Sequence, residues 1–296
     1  MAIPVRSSRE LKSNLRIYLE LAKLRIVLLL LFTTLTAMVI AAGGVPELSI
    51  LLPTLVGGAL AAAGSSAVNQ YIDRDMDAKM SRTARRPIPS GRIRPVNALV
   101  FGVSLIVTSV LVLGLWVNWL TSGLALAGAV YYVVLYTVIL KRNTALNIVI
   151  GGGAGAIPVL VGWAAVTGAL SIQAWILFGI VFYWTPPHSW ALALLVNSDY
   201  ARAGVPMMPV ARGENVTRRQ ILMYSVLLFV ITLLPGTIDM LGALYMTVAI
   251  VLGIGLIWMA MNLIKVANKA VARKTYKYST AYLAFLFLAM IIDIIL

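Results

Sequence analysis

Asn69-Gln70-Tyr71-Ile72-Asp73-Arg74-Asp75-Met76-Asp77 closes an apolar run that occupies residues 49–68, and it holds three of the chain's ten acidic residues. Asn69, Asp73 and Asp77 recur at i, i+4 and i+8, so a helix carries them on one face. Asp75 falls two residues from Asp73 and points elsewhere, beside Arg74. A carboxylate stripe at the end of a membrane helix is costly unless a cation fills it. Mg²⁺ suits such a stripe, because it takes one or two carboxylates and keeps positions for water and phosphate oxygens. The surface alternative, in which these acids simply pair with Arg74, Lys79 or Arg82, would contribute only about 0–1 kcal/mol per pair. The stripe therefore directs attention to diphosphate chemistry at a membrane.

The rest of the chain supplies the membrane. Its 296 residues are 61% hydrophobic and 11% charged, with a mean hydropathy of +0.94. This composition excludes an ordinary soluble globule. Nine apolar runs approach spanning length: 24–42, 49–68, 96–116, 119–140, 145–167, 172–196, 220–237, 241–264 and 279–296. They lack the period-two alternation of a transmembrane barrel. Cysteine is absent from the sequence, which excludes disulfides and thiolate metal sites.

The net charge of +14 is distributed as a topology signal rather than as a nucleic-acid footprint. All 24 Lys and Arg residues fall at or before the first span and in alternate loops thereafter, while the other loops carry Glu47 and Asp239. This positive-inside pattern predicts a cytoplasmic N-terminus and an external C-terminus in a bacterial plasma membrane. Residues 1–23 read as a cytoplasmic N-terminal segment. Within it, residues 9–23 form an amphipathic surface helix with Leu11, Leu15, Tyr18, Leu19 and Ala22 at helical spacing. The charges spread too widely for a short cleaved leader. Trp116, Trp119 and Trp175 sit at the outer span ends as interfacial anchors.

The polar stretches 69–95 and 197–219 share an order of features: acids at a span end (Asp73 and Asp77; Asp199), a proline pair (Pro87 and Pro89; Pro206 and Pro209), and then basic residues. The fold expected is an all-α polytopic membrane protein. Nine transmembrane helices form two four-helix pseudo-repeats plus one, in a single domain over 1–296, around a central cavity open to the cytoplasm.

Basic candidates near the stripe are Lys79, Arg82, Arg86 and Lys141, with Lys23 and Arg25 opening span one. Orientation by positive charge accounts for some of them; the others can share diphosphate charge. His188 is the chain's single histidine and follows Pro186-Pro187, where proline is expected to break the helix and free backbone carbonyls. Gly151, Gly152, Gly153 and Gly155 favour close helix packing. Met207 and Met208 read as gap fillers.

Asn69-x-x-x-Asp73-x-x-x-Asp77 resembles the first aspartate-rich motif of the UbiA superfamily of intramembrane prenyltransferases. Further blocks resemble its branch that farnesylates protohaem: Arg86-Pro87-Ile88-Pro89-Ser90-Gly91-Arg92, Asn147-Ile148-Val149-Ile150-Gly151-Gly152, Thr185-Pro186-Pro187-His188, and Asp199 through Met207. The resemblance implies that farnesyl diphosphate and haem b give haem O and diphosphate. It implies Mg²⁺ held by Asn69, Asp73, Asp77 and Asp199, and a haem contact at His188. A haem A synthase is a plausible recipient of the product. Departures from the branch are Gln70, Ser189, and Asn197-Ser198 before Asp199; the wider superfamily's second motif has two acids a turn apart, whereas Ala203 follows Asp199 by four. Two other readings are prenylation of a quinone or chlorophyll precursor, which the Pro-Pro-His block disfavours, and secondary transport. The latter would place the acids near the midplane rather than at helix ends.

Overall fold

A bilayer offers the backbone no hydrogen-bond partners, so charge-free apolar runs fold as helices. The computed structural model describes residues 8–296, with side chains from Leu15 onward. Of the N-terminal features, Arg6 and the side chains of Arg9, Leu11 and Lys12 lie outside the described residues.

Helix α1 (Ser8–Ala22) turns through Lys23 into α2 (Leu24–Ala42). Helix α3 (Leu48–Ile72) ends at Asp73, and α4 (Arg74–Lys79) continues from it. Then come α5 (Pro95–Trp116) and α6 (Trp119–Val130), the latter extended by π-helical turns over Tyr131–Leu140. Helices α7 (Asn147–Gly151) and α8 (Gly153–Thr167) form one interrupted span. Helix α9 (Ile172–Leu195) leads through α10 (Asn197–Arg202) and α11 (Met208–Ala211) to α12 (Glu214–Thr237), α13 (Ala243–Val266) and α14 (Lys269–Ile295).

The boundaries follow local chemistry. Pro95 occupies the first turn of α5, where its missing N–H costs nothing. Asn118 and Asn268 cap α6 and α14 by accepting from Thr121 N at 2.8 Å and Val271 N at 2.9 Å. Gly43, at φ +62°, ends α2 with amide bonds from Gly43 and Gly44 back to Ile40 O and Val39 O.

Among the described residues, eight helices are long and apolar enough to cross a membrane, which makes this a multi-span helical membrane protein. The ninth expected span forms α9, but its Trp, Tyr, Pro and His residues dilute its hydropathy, so the count of nine is not met on composition. Two expectations change in detail. Helix α9 runs unbroken through Pro186-Pro187, because neighbouring turns hold it. The break falls instead at Gly152, between α7 and α8.

The two halves pack alike: α3 lies on α5 and α5 on α6, as α9 lies on α12 and α12 on α13, with α14 added against α9, α13 and α2. Helices α3 and α5 meet at Gly64 and Gly102, where a Cβ on Gly64 would lie 2.6 Å from the Gly102 carbonyl oxygen. Helix α5 turns Val100, Val103, Val107 and Leu111 outward, as lipid contact requires. Trp116, Trp119 and Trp175 are exposed at their helix ends. On α1, Tyr18 and Leu21 pack inward beside Ile88 and Phe101, while Leu15 and Leu19 face out.

Helix α13 begins at Gly242, which has no side chain to cap it, and Asp293 of α14 supplies the cap. Its carboxylate accepts from Gly242 N at 2.5 Å and Tyr245 N at 3.1 Å. Asp293→Ala is expected to destabilise the protein by about 1–2 kcal/mol. Thermal unfolding in detergent, followed by circular dichroism, should show a lower midpoint; an unchanged midpoint would remove the cap from the account.

Candidate functional site at the charged end of the bundle

The acidic stripe survives the break in its helix. Asp73 N bonds Asn69 O at 2.9 Å and Asp77 N bonds Asp73 O at 2.8 Å, so the i, i+4 rhythm crosses from α3 into α4. Asn69, Asp73 and Asp77 are all buried, with Asp73 fully enclosed. Asp75 is exposed and lies 4.0 Å from Arg74.

Buried carboxylates need partners, and their cationic ones come from two other parts of the chain. Lys141, at the end of the π-helical turns, lies 2.5 Å from Asp73 Oδ2, and Arg142 lies 3.7 Å from Asp73 Oδ1. Arg86, from the loop after α4, donates to Asp77 Oδ2 at 2.7 Å. Asn69 Nδ2 donates to Asp73 Oδ2 at 2.9 Å and to Thr137 Oγ1 at 3.0 Å. Its Oδ1 accepts from Lys23 Nζ at 3.3 Å. Two carboxylates thus face Arg86, Lys141 and Arg142 even before Lys23 is counted, leaving the cluster net positive.

Lys23 is held by a built corner. Ser66 Oγ and Gln70 Nε2 both donate to the Leu21 carbonyl at 2.9 Å. Lys23 then adopts φ +52°, ψ +55°, which is uncommon for a residue with a Cβ. Although Lys23 is half-exposed at its surface, protein surrounds its ammonium. Burial, with repulsion from Arg86 and Lys141, lowers its pKa to about 7, against attraction from Asp77 and Asp73.

Asp199 comes from the opposite half. Ser81 Oγ contacts both of its carboxylate oxygens at 2.8 Å, and Arg202 lies 3.5 Å away. The Ser81 hydrogen bond holds its carboxyl below the usual range, although Asp199 sits at the protein rim, covered only locally. The two acidic segments therefore touch. Even so, among the described residues no three acids or histidines gather closely enough to enclose a metal by themselves. Arg82 reaches Tyr200 Oη only at 3.5 Å. Lys79 and Arg25 are exposed and make no hydrogen bond or ion pair among the described residues, so the structure does not bring them into the cluster.

Beneath the cluster lies a cavity of about 400 Å³, reaching from Lys23 and Tyr136 to Val161 and Leu283. Most of its lining is aliphatic or small; Tyr132, Tyr136, His188 and Ser189 add polar atoms. The π-helical turns place Tyr132 and Tyr136 in a stack with centroids 5.6 Å apart. Gly153 leaves room beside the same turns: a Cβ there would come within 2.9 Å of Tyr131 Oη, which itself donates to Ile150 O at 2.6 Å. Met207 and Met208 are buried packing residues.

A Mg²⁺ ion fits this donor set in one manner. Asp73 Oδ1 is buried without a hydrogen bond, and Asp77 and the Asn69 amide oxygen are further hard donors on the same face. Two carboxylates and an amide suit an ion that completes its sphere with water and phosphate oxygens, not an all-protein cage. Sequence reasoning missed Ser66, Ser81, Thr137 and the corner role of Gln70. Short hydroxyl residues carry no pattern that separates such contacts from ordinary packing.

The UbiA prenyltransferase family matches residues 30–291. A Roseiflexus castenholzii protein named protoheme IX farnesyltransferase is 51% identical over 281 residues, covering 95% of this chain and 52% of that protein. The chain thus spans about half the length of that relative. A Gloeobacter violaceus protein of the same name is 50% identical, covering 97% of this chain and 95% of its own. Among solved structures, a digeranylgeranylglyceryl phosphate synthase superposes with a TM-score of 0.79 at 21% identity, over 95% of this chain and 98% of its own. A UbiA homolog from Archaeoglobus fulgidus bound to DMAPP and Mg²⁺ gives 0.65 at 17%, over 92% and 98%. By sequence match, with the same fold in solved structures, the chain belongs to the UbiA prenyltransferase family.

Proposed function

We propose that the chain transfers the farnesyl group of farnesyl diphosphate to a vinyl group of haem b, forming haem O. One observation carries the reading: buried carboxylates outnumbered by cations adjoin, through Lys23, an apolar cavity lined by the chain's single histidine. A net-positive cluster containing carboxylates complements a metal–diphosphate complex better than a bare cation. The protoheme names of relatives near 50% identity support the acceptor. The DMAPP and Mg²⁺ bound by a homolog of the same fold support the donor class.

Bound Mg²⁺ would supply charge neutralisation to the departing diphosphate. Asn69, Asp73 and Asp77 would hold it, with Asp199 acting from the opposite segment through water. Lys141, Arg86 and Lys23 would bind diphosphate oxygens and stabilise charge as the C1–O bond breaks. Arg82, whose guanidinium reaches only Tyr200 Oη, and the exposed Lys79 and Arg25 would act at most in attracting the anion. The bond's electrons leave with diphosphate. The vinyl π electrons then form the new bond to C1, and water adds to the resulting porphyrin-side cation with loss of a proton. The apolar walls keep water from the allylic cation until that bond forms. No side-chain nucleophile is needed.

The charged end would face the cytoplasm of a bacterial plasma membrane, with the N-terminus inside and the C-terminus outside, by the asymmetry of the basic residues. The product would pass to a haem-modifying partner such as a haem A synthase. Prenylation of a quinone precursor remains the competing reading within the family, and chromatography of the products separates the two.

Asp73→Asn and Asp77→Asn should each lower haem O formation by about 10²–10³-fold while leaving the circular dichroism of purified protein unchanged. Near-normal turnover in either variant defeats the metal–diphosphate assignment. Separately, His188→Ala should weaken haem b binding by about tenfold and spare farnesyl diphosphate binding, both read by titration in nanodiscs. Equal loss of both ligands would show a collapsed cavity instead.

A further inference from the structure

His188 lines the cavity, and its Nδ1 lies 2.9 Å from Ser279 Oγ of α14. Which atom carries the proton follows from the next contact. Ser279 Oγ also lies 2.8 Å from the Tyr276 carbonyl oxygen. The carbonyl oxygen can only accept, so with the Ser279 hydroxyl donating to it, Oγ is left to accept from His188. In that arrangement the imidazole proton sits on Nδ1. Nε2 makes no hydrogen bond among the described residues and is not among the enclosed unpartnered atoms, so its lone pair is open to the cavity.

The ring is fixed in other ways as well. It stacks on Trp184 with centroids 4.3 Å apart and lies 4.7 Å from the Tyr276 ring. The Trp184 indole N–H donates to the Ser279 carbonyl at 2.7 Å. Ser279 therefore anchors the Trp184–His188 pair with its backbone and sets the imidazole with its side chain. No acidic side chain contacts His188 among the described residues.

We propose that Ser279 is a positioning residue that locks His188 as the Nδ1–H tautomer and so presents the Nε2 lone pair to the iron of the porphyrin substrate. The inference rests on the haem reading of the cavity. It goes beyond that reading in naming the ligating atom and the residue that selects it. Metal-binding histidines generally have the other ring nitrogen engaged by such a partner, whose loss costs about 10–100-fold in affinity.

The chain has one histidine, so selective ¹⁵N-histidine labelling of untagged full-length protein in nanodiscs gives one imidazole to follow. The wild type should show a protonated Nδ1 and a bare Nε2 before any haem is added. Ser279→Ala should move the proton population toward Nε2 and raise the dissociation constant for haem b about tenfold, with a changed Soret band. Ser279→Thr, which keeps the hydroxyl, should restore both. An unaltered tautomer in Ser279→Ala overturns the positioning role and leaves the haem reading standing. Unaltered haem affinity in His188→Ala overturns the iron contact itself, and the proposal with it.

Discussion

Burying Asp73 and Asp77 is the constraint around which the charged end is organised. Removing one partner from a buried ion pair typically costs about 3–5 kcal/mol, because the remaining charge is left uncompensated. The partners here are not local. Lys141 arrives at the end of the π-helical turns and Arg86 from the loop after α4, while Lys23, from the corner before α2, donates to the Asn69 amide oxygen beside them. Enclosing the carboxylates therefore ties together parts of the chain far apart in sequence. The same contacts gather the cations an anionic substrate would meet, so stability and binding draw on one set of charges.

The α1–α2 corner shows how this coupling is built. Lys23 occupies left-handed backbone space, which costs roughly 1–2 kcal/mol in a residue with a Cβ. Two hydrogen bonds to one carbonyl, from Ser66 and Gln70 of α3, offset that cost. Gln70 adjoins Asn69, so the helix that carries the stripe also sets the angle from which Lys23 reaches it. Glu20, the residue before the Leu21 carbonyl, is tied to Arg92 at 2.6 Å, which closes the corner against the loop bearing Arg86.

Much of this was legible in the chain. Charge-free apolar runs gave the helices, and the i, i+4 spacing gave the stripe, because each feature is set by local backbone geometry. The acids' partners were only partly legible. Lys141 and Arg86 look no different in sequence from Lys79 and Arg25, and tertiary placement alone separates them. The π-helical turns were not legible either, since Tyr131–Leu140 is apolar nearly throughout and carries no phase. Proline marked the wrong span for a break. Loss of two N–H groups at Pro186 and Pro187 is tolerated inside a packed helix, whereas the glycines around Gly152 bring a one-residue irregularity with helical backbone retained. Ser279 and Asp293 each act across a helix–helix contact and left no local signal.

The weak hydropathy of α9 has the same origin. A helix facing lipid must be apolar over most of its surface, and α5 meets that demand, with only Ala98, Gly102, Ser109 and Leu113 buried. Helix α9 buries half of its residues and packs against α8, α12 and α14. Its polar groups are answered by protein: Trp184 by the Ser279 carbonyl, His188 by the Ser279 hydroxyl, Thr185 by the Val181 carbonyl. Hydropathy measures how well a segment suits lipid, and α9 is built to suit other helices and a cavity. The span that falls short on composition is therefore the one that carries Trp184, Thr185, His188 and Ser189 to the cavity wall.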